Sequence, residues 1–283
     1  LSEIIKVVRS VRDLRKATSK WRQRGQSIAL VPTMGALHAG HLALVKLARK
    51  KADKTVVSIF VNPTQFGPNE DLSRYPRDEA GDLEKLAAAD ADLVWAPGVE
   101  EMYPEGFSAS VRAGSAAKDL EGEFRPFHFD GVATVCTKLF NQVTPDIAIF
   151  GEKDYQQLAV LRQVVRDLNM PLKVIGGPTK RDSDGLALSS RNAYLSEAER
   201  KIAPALNAVI AALAEDVANG ADVASGIANA KRKLVSAGFT KIDYVEVRDA
   251  ETLAVPPDQD GRDLRVLAAA WLGKTRLIDN VAV

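Results

Sequence analysis

A chain of 283 residues is long enough for two compact domains, and its balance of 46% hydrophobic and 27% charged residues is that of a globular protein, which excludes a disordered chain. Lys and Arg total 38 against 37 for Asp and Glu, so no global field gathers nucleic acid or an anionic membrane, and any anionic ligand needs a local site. The single Cys136 rules out an internal disulfide and reads as core filling; with no apolar run of about 18 residues and no leader pattern, the expected address is cytoplasmic, away from membranes.

Strand-length apolar runs rich in Val and Ile recur at 28–31, 55–61, 93–96, 146–150 and 172–175. Among them, 41–52, 82–89, 131–143 and 154–168 place apolar residues at three- and four-residue spacing with charges opposite, the pattern of amphipathic helices. This alternation predicts parallel strands joined by crossover helices, an α/β doubly wound sheet. Gly176, Gly177 and Pro178, followed by the polar stretch 179–190, predict a hinge and loop, dividing the chain into domains 1–176 and 177–283. The second part carries Ala-rich helical patterns at 197–217 and 223–237, then strand patterns at 242–247, 265–271 and 275–279, a smaller α+β domain.

The first predicted strand runs into Pro32-Thr33-Met34-Gly35-Ala36-Leu37-His38-Ala39-Gly40-His41-Leu42, and a helix is expected to start close to His41. Ligands of open parallel sheets bind at the carboxyl ends of strands, where a helix N-terminus offers free N–H groups to a phosphate. His38 and His41, three apart, share one face, and Gly40 between them permits close approach of a nucleotide to the backbone. The rival chemistry is a zinc site, since His38, His41 and His128 are the only histidines, but the spacing lacks the H-E-x-x-H form.

The stretch from Pro32 to Leu42 resembles the H-x-G-H signature of the adenylate-forming nucleotidyltransferase superfamily. Ser58-Ile59-Phe60-Val61-Asn62-Pro63-Thr64-Gln65-Phe66, Tyr75-Pro76-Arg77, the run from Phe150 to Gln157, the run from Asp184 to Asn192 and Thr275-Arg276-Leu277-Ile278-Asp279-Asn280 all resemble the pantothenate synthetase (pantoate beta-alanine ligase) family, in order along the chain. The resemblance implies a Rossmann-like fold of the HxGH type, with an ATP- and pantoate-binding first domain, a C-terminal lid domain and a homodimer. It also implies that pantoate and ATP give pantoyl adenylate and pyrophosphate, and that beta-alanine then displaces AMP.

In that chemistry the nucleophile is the substrate's own carboxylate, so the protein's task is alignment and stabilisation of charge on the phosphates. The resemblance assigns phosphate contacts to His38, His41, Lys153, Ser189 and Arg191, with the loop carrying Ser189, Ser190 and Arg191 closing over the triphosphate. It places Pro32, Thr33, Met34, Gly40, Gly151, Asp154, Leu188 and Ser190 around the nucleotide, with Asp154 on a ribose hydroxyl. Pantoate needs amide hydrogen bonders among apolar walls, supplied by Gln65 and Gln157; Asn62, Met34, Tyr75, Arg125 and His128 are further substrate-site candidates. Phe127 stands where the family carries a smaller residue, and its bulk is expected to bear on His128 or on access of the amine. Magnesium is expected to bridge the phosphates, with Asp82 as its candidate ligand.

Overall fold

The computed structural model describes residues 5–68, 70, 72–256 and 261–283. They fall into two compact units, Leu1–Glu152 with Val160–Pro178, and Lys153–Ala159 with Thr179–Val283. The segment 153–159 thus belongs to the second unit although it lies far from the rest of it in sequence.

The first unit is built on six parallel strands: β1 (Val7–Val8), β2 (Ile28–Thr33), β3 (Lys54–Ile59), β4 (Leu93–Trp95), β5 (Ile147–Gly151) and β6 (Lys173–Gly177), in the order β1-β4-β3-β2-β5-β6. The helices of this part of the chain are α1 (Val11–Arg22), α2 (Ala39–Lys51), α3 (Glu79–Ala88), α4 (Val99–Met102), α5 (Glu121–Phe124), α6 (His128–Val143) and α7 (Tyr155–Asp167). β2 to β4 build outward on one side of β2, and the chain then returns to lay β5 on its other side, so the order reverses between β2 and β5. Ile28, Leu30, Val56, Leu93, Val94 and Ile149 are fully buried, as expected of strands covered on both faces.

The doubly wound α/β sheet anticipated from periodicity is present. Periodicity did not reveal β1 and α1: β1 pairs with β4 over only two residues, and α1 carries so many Arg and Lys that its buried stripe reduces to Leu14, Ala17 and Thr18. Helix α2 begins at Ala39, two residues before His41, because His38 caps it.

The second unit contains α8 (Glu197–Ile202), α9 (Ala205–Ala218) and α10 (Val223–Ala237), with an antiparallel meander of β7 (Lys241–Asp249), β8 (Leu264–Leu272) and β9 (Thr275–Ala282). The helix expected over 197–217 is interrupted before Ala205, where Pro204 removes a backbone donor. Leu206, Ile210 and Leu213 of α9 join one core with Val266, Ala268 and Ala270 of β8, the alanines leaving room for the helix. Among the described residues no helix is long and apolar enough to cross a membrane.

Candidate active site

In the first unit the candidate residues gather at the carboxyl edge of the sheet, beside the reversal between β2 and β5, where open α/β sheets bind ligands. Pro32 and Thr33 end β2 and Gly151 ends β5. The Thr33 hydroxyl donates to the Ser58 carbonyl at 2.7 Å and accepts from the Gly35 N–H at 3.3 Å, which ties the loop after β2 to β3. The loop then turns through two left-handed residues, Gly35 (φ 80°) and Ala36 (φ 50°). A side chain at position 35 would meet an Asp82 oxygen at 3.1 Å, so glycine serves there for space as well as for φ. Asp82, on α3 and 1% exposed, accepts from the Leu37 N–H at 2.7 Å and lies 3.6 Å from the Lys85 ammonium.

The two histidines form a capping box. His38 Nδ1 accepts from the Gly40 N–H at 3.1 Å, and His41 Nδ1 accepts from the His38 N–H at 3.3 Å. A ring nitrogen that accepts carries no proton, so while these bonds are made each ring presents its hydrogen from Nε2. The rings lie 4.1 Å apart at the N-terminus of α2. This local cap explains why the two histidines stand three positions apart: it satisfies backbone donors at the helix start and sets both tautomers at once.

Gln65 is held from three sides. Its carboxamide oxygen accepts from Asn62 Nδ2 at 3.1 Å, its Nε2 donates to the Met34 sulfur at 3.2 Å, and its backbone carbonyl accepts from His128 Nδ1 at 2.8 Å. Asn62, 1% exposed, spends its oxygen on Tyr103 and Thr64 and its nitrogen on Gln65 and the Gly131 carbonyl, so its amide orients Gln65. His128 Nε2 accepts from Arg125 at 3.2 Å, and Arg125 makes a two-pronged ion pair with Glu70. Burial, then the neighbouring Arg125 charge, push the His128 imidazole down to about 4. Tyr75 is buried with its ring edge-on to Phe66 at 5.9 Å. Phe127 is 82% exposed at φ 69°, while His128 keeps its bonds; the bulk goes to solvent and does not displace the histidine.

Sequence reasoning missed Tyr103, Glu70 and Gly131 as supports of this cluster. A side chain at 131 would sit 2.5 Å from the Thr64 carbonyl oxygen and 2.9 Å from Gln65 Cα, so α6 approaches the Gln65 turn only because this helical position is bare. A glycine inside an amphipathic pattern was the available signal. Cys136 is buried in α6 with its thiol pushed up to about 12, the behaviour of a core residue.

In the second unit, Lys153 and Asp154 lie in a single 3-10 turn, their charged groups 3.8 Å apart, with Asp154 exposed and Gln157 partly buried in the first turn of α7. The polar stretch expected as a hinge and loop forms a small hairpin: Arg181 and Ala187 form a bridge, and the Asp182 N–H donates to the Leu186 carbonyl at 2.8 Å. Leu188 then donates to the Lys180 carbonyl, and Ser189 caps the 3-10 helix Ser190–Tyr194 by accepting from the Arg191 N–H at 3.3 Å. Ser189, Ser190 and Arg191 therefore stand in one short turn on a closed hairpin.

A parallel sheet whose strand order reverses, with a glycine-containing helix N-terminus at that reversal, is the architecture of an α/β nucleotide-binding protein. The Pantoate-beta-alanine ligase family signature matches residues 6–282, and the chain belongs to this family. It is 57% identical over 277 residues to a pantothenate synthetase of Mesorhizobium japonicum, covering 98% of this chain and 97% of that one. A crystal structure of pantothenate synthetase from Thermus thermophilus superposes with a TM-score of 0.92 at 46% identity, over 98% of this chain and 99% of that one. The pantoate-beta-alanine ligase of Francisella tularensis, solved with a β,γ-ATP ligand and beta-alanine, superposes with a TM-score of 0.82 at 34% identity, over 98% and 97% of the two chains.

Proposed function

We propose that this chain condenses pantoate with beta-alanine at the expense of ATP, yielding pantothenate, AMP and pyrophosphate. The observation that carries the reading is family membership over residues 6–282, together with 57% identity to a pantothenate synthetase across nearly the whole of both chains. A pantoate carboxylate oxygen attacks the α-phosphorus, the bond to the β-phosphate oxygen breaks and pyrophosphate leaves. The beta-alanine nitrogen then attacks the acyl carbon of pantoyl adenylate, AMP departs with the electron pair, and the amine proton passes to solvent.

His38 and His41 act as donors from Nε2 to phosphate oxygens, a role supported by the capping box that fixes both tautomers. Lys153 and Arg191 neutralise phosphate charge, and Ser189 and Ser190 contribute hydroxyls. Pro32, Thr33, Met34, Gly40, Gly151 and Leu188 form nucleotide-facing backbone or wall, with Asp154 accepting from the ribose. Gln65 and Gln157 hydrogen-bond the pantoate hydroxyls, each able to donate and accept. Asn62, Arg125 and His128 serve this pocket by holding Gln65, and Tyr75 by backing Phe66.

The side chains present do not fit a resident metal. Among the described residues no group of three or more His, Cys, Asp or Glu could hold an ion, and the buried Asp82 already anchors Leu37 beside a lysine. Magnesium enters this reading as the counter-ion of ATP, which it binds through phosphate oxygens and water. The reading also includes a cytoplasmic homodimer, which sedimentation equilibrium would test.

The decisive experiment supplies ATP and pantoate with and without beta-alanine and follows products by mass spectrometry. Pantothenate and AMP formed only with both acids is the expected result; no pantothenate, or AMP release indifferent to pantoate, would refute the proposal.

A further inference from the structure

The segment Thr275–Asn280 resembles the family yet supplies none of the groups assigned to ATP or pantoate. Within the second unit, two adjacent buried residues of this strand, Asp279 and Asn280, reach the two stretches that carry the phosphate-binding groups. Asp279 holds Arg181 through two hydrogen bonds, at 2.6 and 2.9 Å, and Arg181 also donates to the Gly185 carbonyl at 3.0 Å, closing the hairpin that delivers Ser189–Arg191. Asn192 fastens the far side of that turn by donating to the Ala187 carbonyl at 3.0 Å. Asn280 Nδ2 donates to the Lys153 backbone carbonyl at 2.8 Å, while its oxygen accepts from Arg265 Nε at 2.7 Å. The Arg265 guanidinium lies 3.8 Å over the Tyr155 ring, and the Tyr155 hydroxyl donates to the Ala250 carbonyl, so Tyr155, two residues after Lys153, is fastened to β8 and to the turn after β7 as well.

The chemistry at 280 demands an amide. One side must accept from a guanidinium and the other must donate to a carbonyl; aspartate could do only the first and leucine neither. Resting on the reaction assigned above, we propose that Asp279 and Asn280 are positioning residues for adenylation: Asn280, oriented by Arg265, sets the backbone of Lys153, and Asp279 sets the hairpin bearing Ser189–Arg191. Both phosphate-binding segments are thereby fixed on one rigid strand, and neither Asp279 nor Asn280 touches substrate.

The substitution Asn280→Asp isolates the clamp, because it retains an acceptor for Arg265 and loses the donor to Lys153. Pantoate-dependent exchange of pyrophosphate into ATP should fall about 10- to 100-fold in kcat, the scale on which about 1 Å of misplacement acts. In a Lys153→Ala background the same substitution should change kcat by less than about twofold, since interacting residues are not additive; a merely structural residue would lower both backgrounds alike. Additive losses, or exchange by Asn280→Asp within about twofold of the unsubstituted chain, overturn the clamp. If circular dichroism shows that Asn280→Asp does not fold, Asn280→Ala is carried through the same cycle with the same criteria. No exchange by the unsubstituted chain is a distinct result, which overturns the reaction reading and this inference with it.

Discussion

His128 donates from Nδ1 to the carbonyl of Gln65 at 2.8 Å, a bond across 63 residues of sequence that joins the first turn of α6 to the turn bearing the glutamine. Since a carbonyl only accepts, the proton is on Nδ1, and Nε2 is left to accept from Arg125. Protonation would put a hydrogen between Nε2 and the guanidinium and break that contact.

Stability should therefore depend on pH through this residue. The imidazole titrates near 6.5 when unfolded and at about 4 when folded, so between those values the unfolded chain holds more protons. The contribution is complete above pH 6.5 and is lost as pH falls toward 4, by about 3 kcal/mol. Urea denaturation at several pH values should show His128→Asn with a shallower acid-side slope than the unsubstituted chain. Equal slopes would contradict the assignment.

Gly131→Ala should damage the Gln65 turn. The new methyl would overlap backbone atoms of Thr64 and Gln65, at 2.5 to 2.9 Å, and backbone cannot rotate away as a side-chain tip can. Overpacking of this kind costs about 1–3 kcal/mol. We expect a lowered Tm and a raised KM for pantoate with ATP affinity kept; equal loss for both ligands would argue against a local effect.

Asp82 can be tested as anchor against metal ligand. Asp82→Ala leaves the Leu37 N–H buried without its acceptor and should cost about 1–3 kcal/mol. Asp82→Asn keeps a carbonyl oxygen there and should recover most of that stability, with the magnesium concentration for half-maximal rate unchanged. A marked rise in that concentration for the Asn variant would restore the metal role.

Phe127 holds a left-handed φ of 69° while 82% exposed, so little packing offsets its backbone strain. Phe127→Gly should stabilise the chain by about 0.5–1 kcal/mol after allowing for glycine's greater unfolded freedom. Thermal unfolding would show a Tm higher by about 1–4 °C. A lower Tm would mean that the ring makes an interaction worth more than the strain.

The chain's own text determined the parallel α/β sheet, the α+β second unit and the family, because those rest on local periodicity and on short motifs whose residues must be contiguous. The His38-x-Gly40-His41 cap is of this kind: its hydrogen bonds span at most three residues. Tertiary structure alone decided which residues serve others. That Asn62 orients Gln65 through a side-chain bond is close enough in sequence to guess, but Tyr103 on Asn62, Gly131 under Thr64, Asp82 on Leu37 and Asn280 on Lys153 join positions 41 to 127 residues apart. No local pattern encodes such pairs, since each satisfies a donor or clears a space that exists only after the strands and helices have packed.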